Sequence, residues 1–144
     1  MKPEEMLLKK EERVSFSLRA LFEQYGYRKF KMSKFEEYDF YAENRSFLHS
    51  EAILTFMGLD GKLLALKPDV TLSIVKNTKG SRDTAERVYY NENLYRARKS
   101  AGEYKEIMQV GLEYIGEVDA YATLEVLLLE QKSLKALSDA YILD

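Results

Sequence analysis

The chain has 144 residues, 46% of them hydrophobic and 32% charged, with a formal charge of −2 and no cysteine. That length suits one domain with a real core, spanning 1–144, and the balance is that of a folded protein. Without thiols there are no disulfides, thiolate zinc sites or cysteine nucleophiles, and the small net charge gives no global pull toward nucleic acid or anionic membrane.

The first residues, MKPEEMLLKKEERVSF, mix both charge signs and hold no apolar stretch of signal-peptide length. The greasiest run, LEVLLLEQ, falls far short of the roughly 20 apolar residues of a membrane span. The expectation is a cytoplasmic protein with neither membrane nor nucleic acid as a partner. Val14, Leu18, Leu21, Phe22 and Tyr25 recur at helical spacing, and Gly26 follows where a left-handed cap ends a helix, so a helix is predicted from about Glu4 to Tyr25. YRKFKMSKFEEYDFYAE, rich in aromatics and alternating charge, reads as extended chain bent around Ser33. AENRSFLHSEA reads as a loop or short helical turn and holds the only histidine, His49, whose reading is structural or exposed.

ILTFMGLDGKLLALKP predicts a hairpin, with Asp60-Gly61 forming a tight turn between two apolar runs. Pro68 opens a short helix, about Asp69 to Asn77. A second antiparallel pair follows, about Arg87 to Arg96 and Tyr104 to Ile115, joined by the basic loop ARKSAGE. Tyr121, Leu124, Leu127, Leu128, Leu134 and Leu137 mark a long amphipathic helix after Asp119. This order predicts an α+β domain with a largely antiparallel sheet.

In EYKEIMQVGLEYIG, alternation places Met108, Val110, Leu112 and Tyr114 on one face and Ile107, Gln109, Gly111, Glu113 and Ile115 on the other. The second face carries an amide, a gap and a carboxylate in a row, which suits either a polar binding floor or a solvated sheet face. Asp69 suits a helix cap, which would leave Thr71 in the first turn.

Three segments, SKFEEYDFY, LALKPDVTLSIVK and RVYYNENLYR…GEYKEIMQVGLEYIG, resemble in order and spacing the catalytic core of class II histidyl-tRNA synthetases. They resemble more closely the noncatalytic relative of those enzymes, the regulatory subunit of ATP phosphoribosyltransferase. The resemblance implies a class II synthetase-like fold, an antiparallel sheet backed by helices, holding an amino acid against its face. It implies that Asp69 and Thr71 hold the α-amino group of histidine and that Gln109 and Glu113 line the same pocket. Two carboxylates and a hydroxyl are a sensible acceptor set for an ammonium. Arg96 matches the motif-2 arginine that grips phosphate and carboxylate, a task its planar fork suits, although a surface arginine ending a strand is the plain alternative. Arg98 and Lys99 add charge to that loop, as solvated basic turns commonly do.

Against an active synthetase, Arg98 replaces an acidic residue, Ile107 replaces the aromatic that stacks on adenine, and Ser33 replaces the motif-1 proline. The sequence reaches Asp144 before a glycine-rich motif 3. The resemblance therefore implies a truncated, noncatalytic domain without cofactor or metal, lacking ATP activation, that senses histidine and associates with the short-form catalytic subunit. Its expected assembly is a homodimer or hetero-oligomer. The alternatives are a dimerisation module without ligand, in which Phe35, Tyr38, Phe40 and Tyr41 lie at an interface instead of in the core, or a synthetase fragment.

Overall fold

In a computed structural model the described residues are 8–48, 53–78, 85–98 and 102–142. In chain order the elements are α1 (Lys10–Gln24), β1 (Arg28–Lys29), β2 (Phe35–Glu37), α2 (Tyr38–Glu43), β3 (Thr55–Met57), β4 (Leu63–Leu66), α3 (Thr71–Asn77), β5 (Glu86–Arg98), β6 (Glu103–Ile115) and α4 (Ala120–Leu137). They form the expected α+β mixture. The strands make two three-stranded sheets where one was expected, ordered β1-β5-β6 and β2-β4-β3. β1 pairs with β5 in parallel, which the long intervening chain permits. The chain divides into two compact units, Met1–Lys29 with Thr78–Tyr89 and Gly111–Asp144, and Phe30–Asn77 with Tyr90–Val110.

In the first unit α1 begins at Lys10, and residues 4–7 of the predicted helix lie outside the described residues. Lys9 is extended, at φ −63° and ψ 160°, and its N–H donates to Glu12 Oε2 at 2.7 Å. The folded-back carboxylate satisfies a donor the helix itself cannot, fixing the start there. Gly26, at φ +80°, supplies the left-handed residue past the other end. Leu18 and Phe22 are buried, and the Phe22 and Tyr89 rings lie 5.8 Å apart. The Tyr89 hydroxyl donates to Glu23 Oε1 at 2.6 Å, and Arg19 Nε donates to the same oxygen at 2.9 Å.

Helix α4 begins where Asp119 accepts from the Ala122 N–H at 2.7 Å. It buries Ala122 and Leu129, while Tyr121, Leu124, Leu127 and Leu128 stay exposed, so the helix carries an outer apolar face as well as an inner one. Glu125 is met by the Tyr27 hydroxyl at 3.4 Å and by Arg87 Nε at 3.6 Å. At the end of β6, Gly116 has φ +143°, and a Cβ there would lie 2.9 Å from the Ala85 Cα. No other residue fits that approach without moving backbone.

The second unit packs Tyr41, Leu48, Ala65 and Leu72 into a core flanked by Tyr38, Phe40 and Ile53. Of the four aromatics weighed as interface residues, Tyr41 is fully buried, Tyr38 and Phe40 pack on the core, and Phe35 is exposed. Tyr38–Glu43 is helical where extended chain was expected, because Tyr38 and Tyr41, three apart, then turn toward one core. β2 and β3 flank β4 in antiparallel register, Phe35 opposite Leu66 and Phe56 opposite Leu64. The hairpin joining β3 and β4 is the predicted one. Its connection is longer than a tight two-residue turn, closed by Gly58 N–H to the Lys62 carbonyl at 2.8 Å. His49 and Lys99 lie outside the described residues.

Candidate functional site

Asp69, Thr71, Arg96 and Gln109 belong to the second unit and Glu113 to the first; all five are half-buried. The turn from Lys67 to Thr71 leads from β4 into α3. Asp69 Oδ1 accepts from the Leu72 N–H at 2.9 Å, so the carboxylate caps the helix. The capping role weighed in the sequence is therefore present. The cap engages one oxygen, and a carboxylate has about four lone-pair sites.

Strand β5 holds this turn from the other side. The Lys67 carbonyl accepts from the Tyr95 N–H at 3.3 Å, and Arg96 Nε donates to the Pro68 carbonyl at 3.3 Å. The structure thus joins the turn bearing Asp69 and Thr71 to the arginine named with them. Arg96 stands near the end of β5, half-buried and tied to a segment 28 positions away.

Gln109 on β6 donates through Nε2 to the Tyr90 hydroxyl on β5, at 3.2 Å. Asn93 and Tyr95 both donate to Glu106, at 2.6 and 3.0 Å, on the opposite face. Together these contacts fix the alternation: Tyr90, Glu92, Leu94 and Arg96 share the side on which Gln109 points. The Lys67–Thr71 turn meets β5 at the Tyr95 N–H and the Arg96 side chain. With its nitrogen committed to Tyr90, the Gln109 amide presents its oxygen as an acceptor. Glu113, four residues further along β6, has the same strand parity and sits in the first unit.

Two contributors escaped the sequence reading. Tyr90 orients Gln109, and period-two pairing across the hairpin was the signal for it. Lys67 is only 2% exposed, a lysine ending the apolar run LLAL, and burial pushes its amine below the ordinary lysine pKa. The Tyr41 hydroxyl and Ser73 Oγ are both buried, and burial raises the Tyr41 phenol, an effect that Ser73 opposes. Ile107, at the adenine-stacking position of the resemblance, is 40% exposed. No cluster of three potential metal ligands exists among the described residues, and none of their helices is long and apolar enough to cross a membrane.

The histidyl-tRNA synthetase family model matches residues 2–142. An ATP phosphoribosyltransferase regulatory subunit of Bacillus thuringiensis (strain Al Hakam) is 33% identical over 128 residues, 88% of this chain and 30% of the relative. The chain therefore spans less than a third of the curated relatives it matches. Among solved structures, an ATP phosphoribosyltransferase regulatory subunit/histidyl-tRNA synthetase from Bacillus halodurans superposes with a TM-score of 0.72 and 25% identity, over 88% of this chain and 33% of that one. The ATP phosphoribosyl transferase (HisG:HisZ) complex from Thermotoga maritima shares the fold, with a TM-score of 0.64 and 21% identity over 85% of this chain and 41% of that one. Matched along almost its whole length by the family model, the chain belongs to the histidyl-tRNA synthetase family.

Proposed function

We propose that the chain serves as a noncatalytic, histidine-sensing regulatory subunit of ATP phosphoribosyltransferase, acting with the catalytic subunit in histidine biosynthesis. The observation that carries this reading is the tie between Arg96 and Pro68, which joins the Asp69–Thr71 turn to β5, the strand whose Tyr90 also holds Gln109. Curated relatives named as that regulatory subunit support the role, and the HisG:HisZ complex supports a catalytic subunit as the partner. In this proposal Asp69, Thr71, Gln109 and Glu113 receive the ammonium and polar groups of histidine, and Arg96 its carboxylate. Ile107 offers no π face for adenine, in keeping with sensing without activation. Regulation requires histidine to bind two states of the complex with different affinity.

Calorimetry tests the pocket. Histidine binding should weaken at least about tenfold in Gln109→Ala and in Glu113→Ala, the cost of a lost polar contact. Indifference to both substitutions would remove the assignment.

A second reading, assembly through the β2-β4-β3 sheet, is favoured by one observation. Phe35 and Phe56 are 48% and 38% exposed and meet edge to face at 5.6 Å on one side of that sheet. Light scattering separates the two: a dimer indifferent to histidine favours assembly, and a histidine-dependent change in mass favours sensing.

A further inference from the structure

We propose that Lys76 is a positioning residue: its ammonium, seated between the Glu36 carboxylate and the Phe40 ring, fixes the far end of α3 and so the orientation of the Asp69–Thr71 turn that opens this helix. For its effect on histidine this rests on the reading above; its structural content does not.

Helix α3 has seven residues, Thr71–Asn77. A helix that short cannot hold itself in water, so its orientation comes from what it touches. Its first turn is capped by Asp69, whose Oδ1 accepts from the Leu72 N–H at 2.9 Å. Its inner face buries Leu72, Ser73 and Ile74, with Leu72 in the core beside Tyr41 and Ala65. Its last turn carries Lys76, whose Nζ lies 3.0 Å from Glu36 Oε2 and 4.6 Å from the centroid of the Phe40 ring. Both partners belong to one stretch of chain, where β2 runs directly into α2, so the lysine joins α3 to that junction.

Glu36 gives the contact its direction. In the β2–β4 register it stands opposite Ala65, so its side chain shares the face of a fully buried residue. An acid on the core side of a strand needs a partner, and Lys76 supplies one. Packing of Leu72 and Ile74 is non-directional and leaves a short helix free to roll against the core. A cation held at once by a strand carboxylate and a helix ring removes that freedom, and in the last turn it also meets the negative end of α3. The Lys76 side chain is 43% exposed and that of Glu36 20%, so the pair adds little to global stability. Its consequence is local.

Amide hydrogen exchange on the full chain reads that consequence without ligand. The Leu72 N–H reports the Asp69 cap, the Ile74 N–H, bonded to the Val70 carbonyl at 3.0 Å, reports the helix, and the Tyr27 N–H, bonded to the Phe22 carbonyl at 3.0 Å, serves as the control in the other unit. Methionine keeps the apolar length of the side chain and removes its charge. In Lys76→Met, protection of Leu72 and Ile74 should fall about threefold or more, with Tyr27 unchanged. Lys76→Arg, which keeps the cation, should return both amides to within about twofold of the parent. Unchanged protection in Lys76→Met would overturn the proposal. So would equal loss in the Met and Arg variants, or an equal fall at Tyr27, which would mark a global effect. Should Lys76→Met fail to fold, Glu36→Gln decides: reduced protection at Leu72 and Ile74 supports the role and parental protection refutes it. Histidine calorimetry on the same proteins separates the two ideas. If the parent protein binds no histidine the sensing reading fails, and the exchange data still judge Lys76. If the parent binds and Lys76→Met binds equally well despite lost protection, the positioning role is overturned.

Discussion

Asp69 caps α3 and, in the proposed function, also receives the ligand's ammonium; substitutions separate the two. Asparagine caps a helix about as well as aspartate and has no charge, while alanine does neither. Asp69→Asn should keep urea stability within a few tenths of a kcal/mol and weaken histidine binding, whereas Asp69→Ala should lose about 1 kcal/mol as well. Equal histidine affinity in Asp69→Asn and the parent would leave the residue a cap alone. Glu23 offers a pH test. The Tyr89 hydroxyl, then Arg19, hold its carboxyl below the ordinary value of 4.5. A depressed carboxyl contributes stability that is complete above its unfolded pKa and is lost as pH falls through the folded one. Urea midpoints taken downward from pH 4.5 should therefore drop more steeply in the parent than in Glu23→Gln. The residue types of the proposed site were legible, because an amide and a carboxylate on an otherwise greasy strand stand out. The contacts between Tyr90 and Gln109, and between Arg96 and Pro68, were not, since each depends on where a distant segment docks.

Helices and hairpins followed local chemistry closely. Asp119 before an apolar run predicted the start of α4, and Asp60-Gly61 predicted the β3–β4 hairpin. Asp119→Ala should cost about 1 kcal/mol in urea unfolding, the usual value of an N-cap. Leu129→Ala, at a fully buried position, should cost about 2–5 kcal/mol. A smaller loss at Leu129 than at Asp119 would mean that α4 is held by its cap more than by its packing. The Tyr38–Glu43 helix was missed because the alternation of Tyr38, Asp39 and Phe40 satisfies a strand pattern as well as a short helix, and only the core around Ala65 chooses between them. The parallel pairing of β1 with β5 was invisible for a related reason. Two residues have too little pattern to declare a partner some 60 positions away.

At the scale of the whole molecule, α+β composition and family resemblance emerged from motif order, while the split of the strands into two sheets did not. Hydrophobic periodicity assigns faces, and it does not say which strands share a ladder. A noncatalytic role predicts that histidine-dependent pyrophosphate exchange with ATP stays at background; turnover well above it would return the chain to the catalytic branch of its family. The double-sided greasiness of α4 has a practical consequence. Fluorescent dyes that light up on oily surface, such as anilinonaphthalene sulfonate, should bind the native protein through Tyr121, Leu124 and Leu128 and glow before any heating. A dye-based melting curve would then start from a bright baseline and understate the transition, so circular dichroism is the sounder thermometer for this chain.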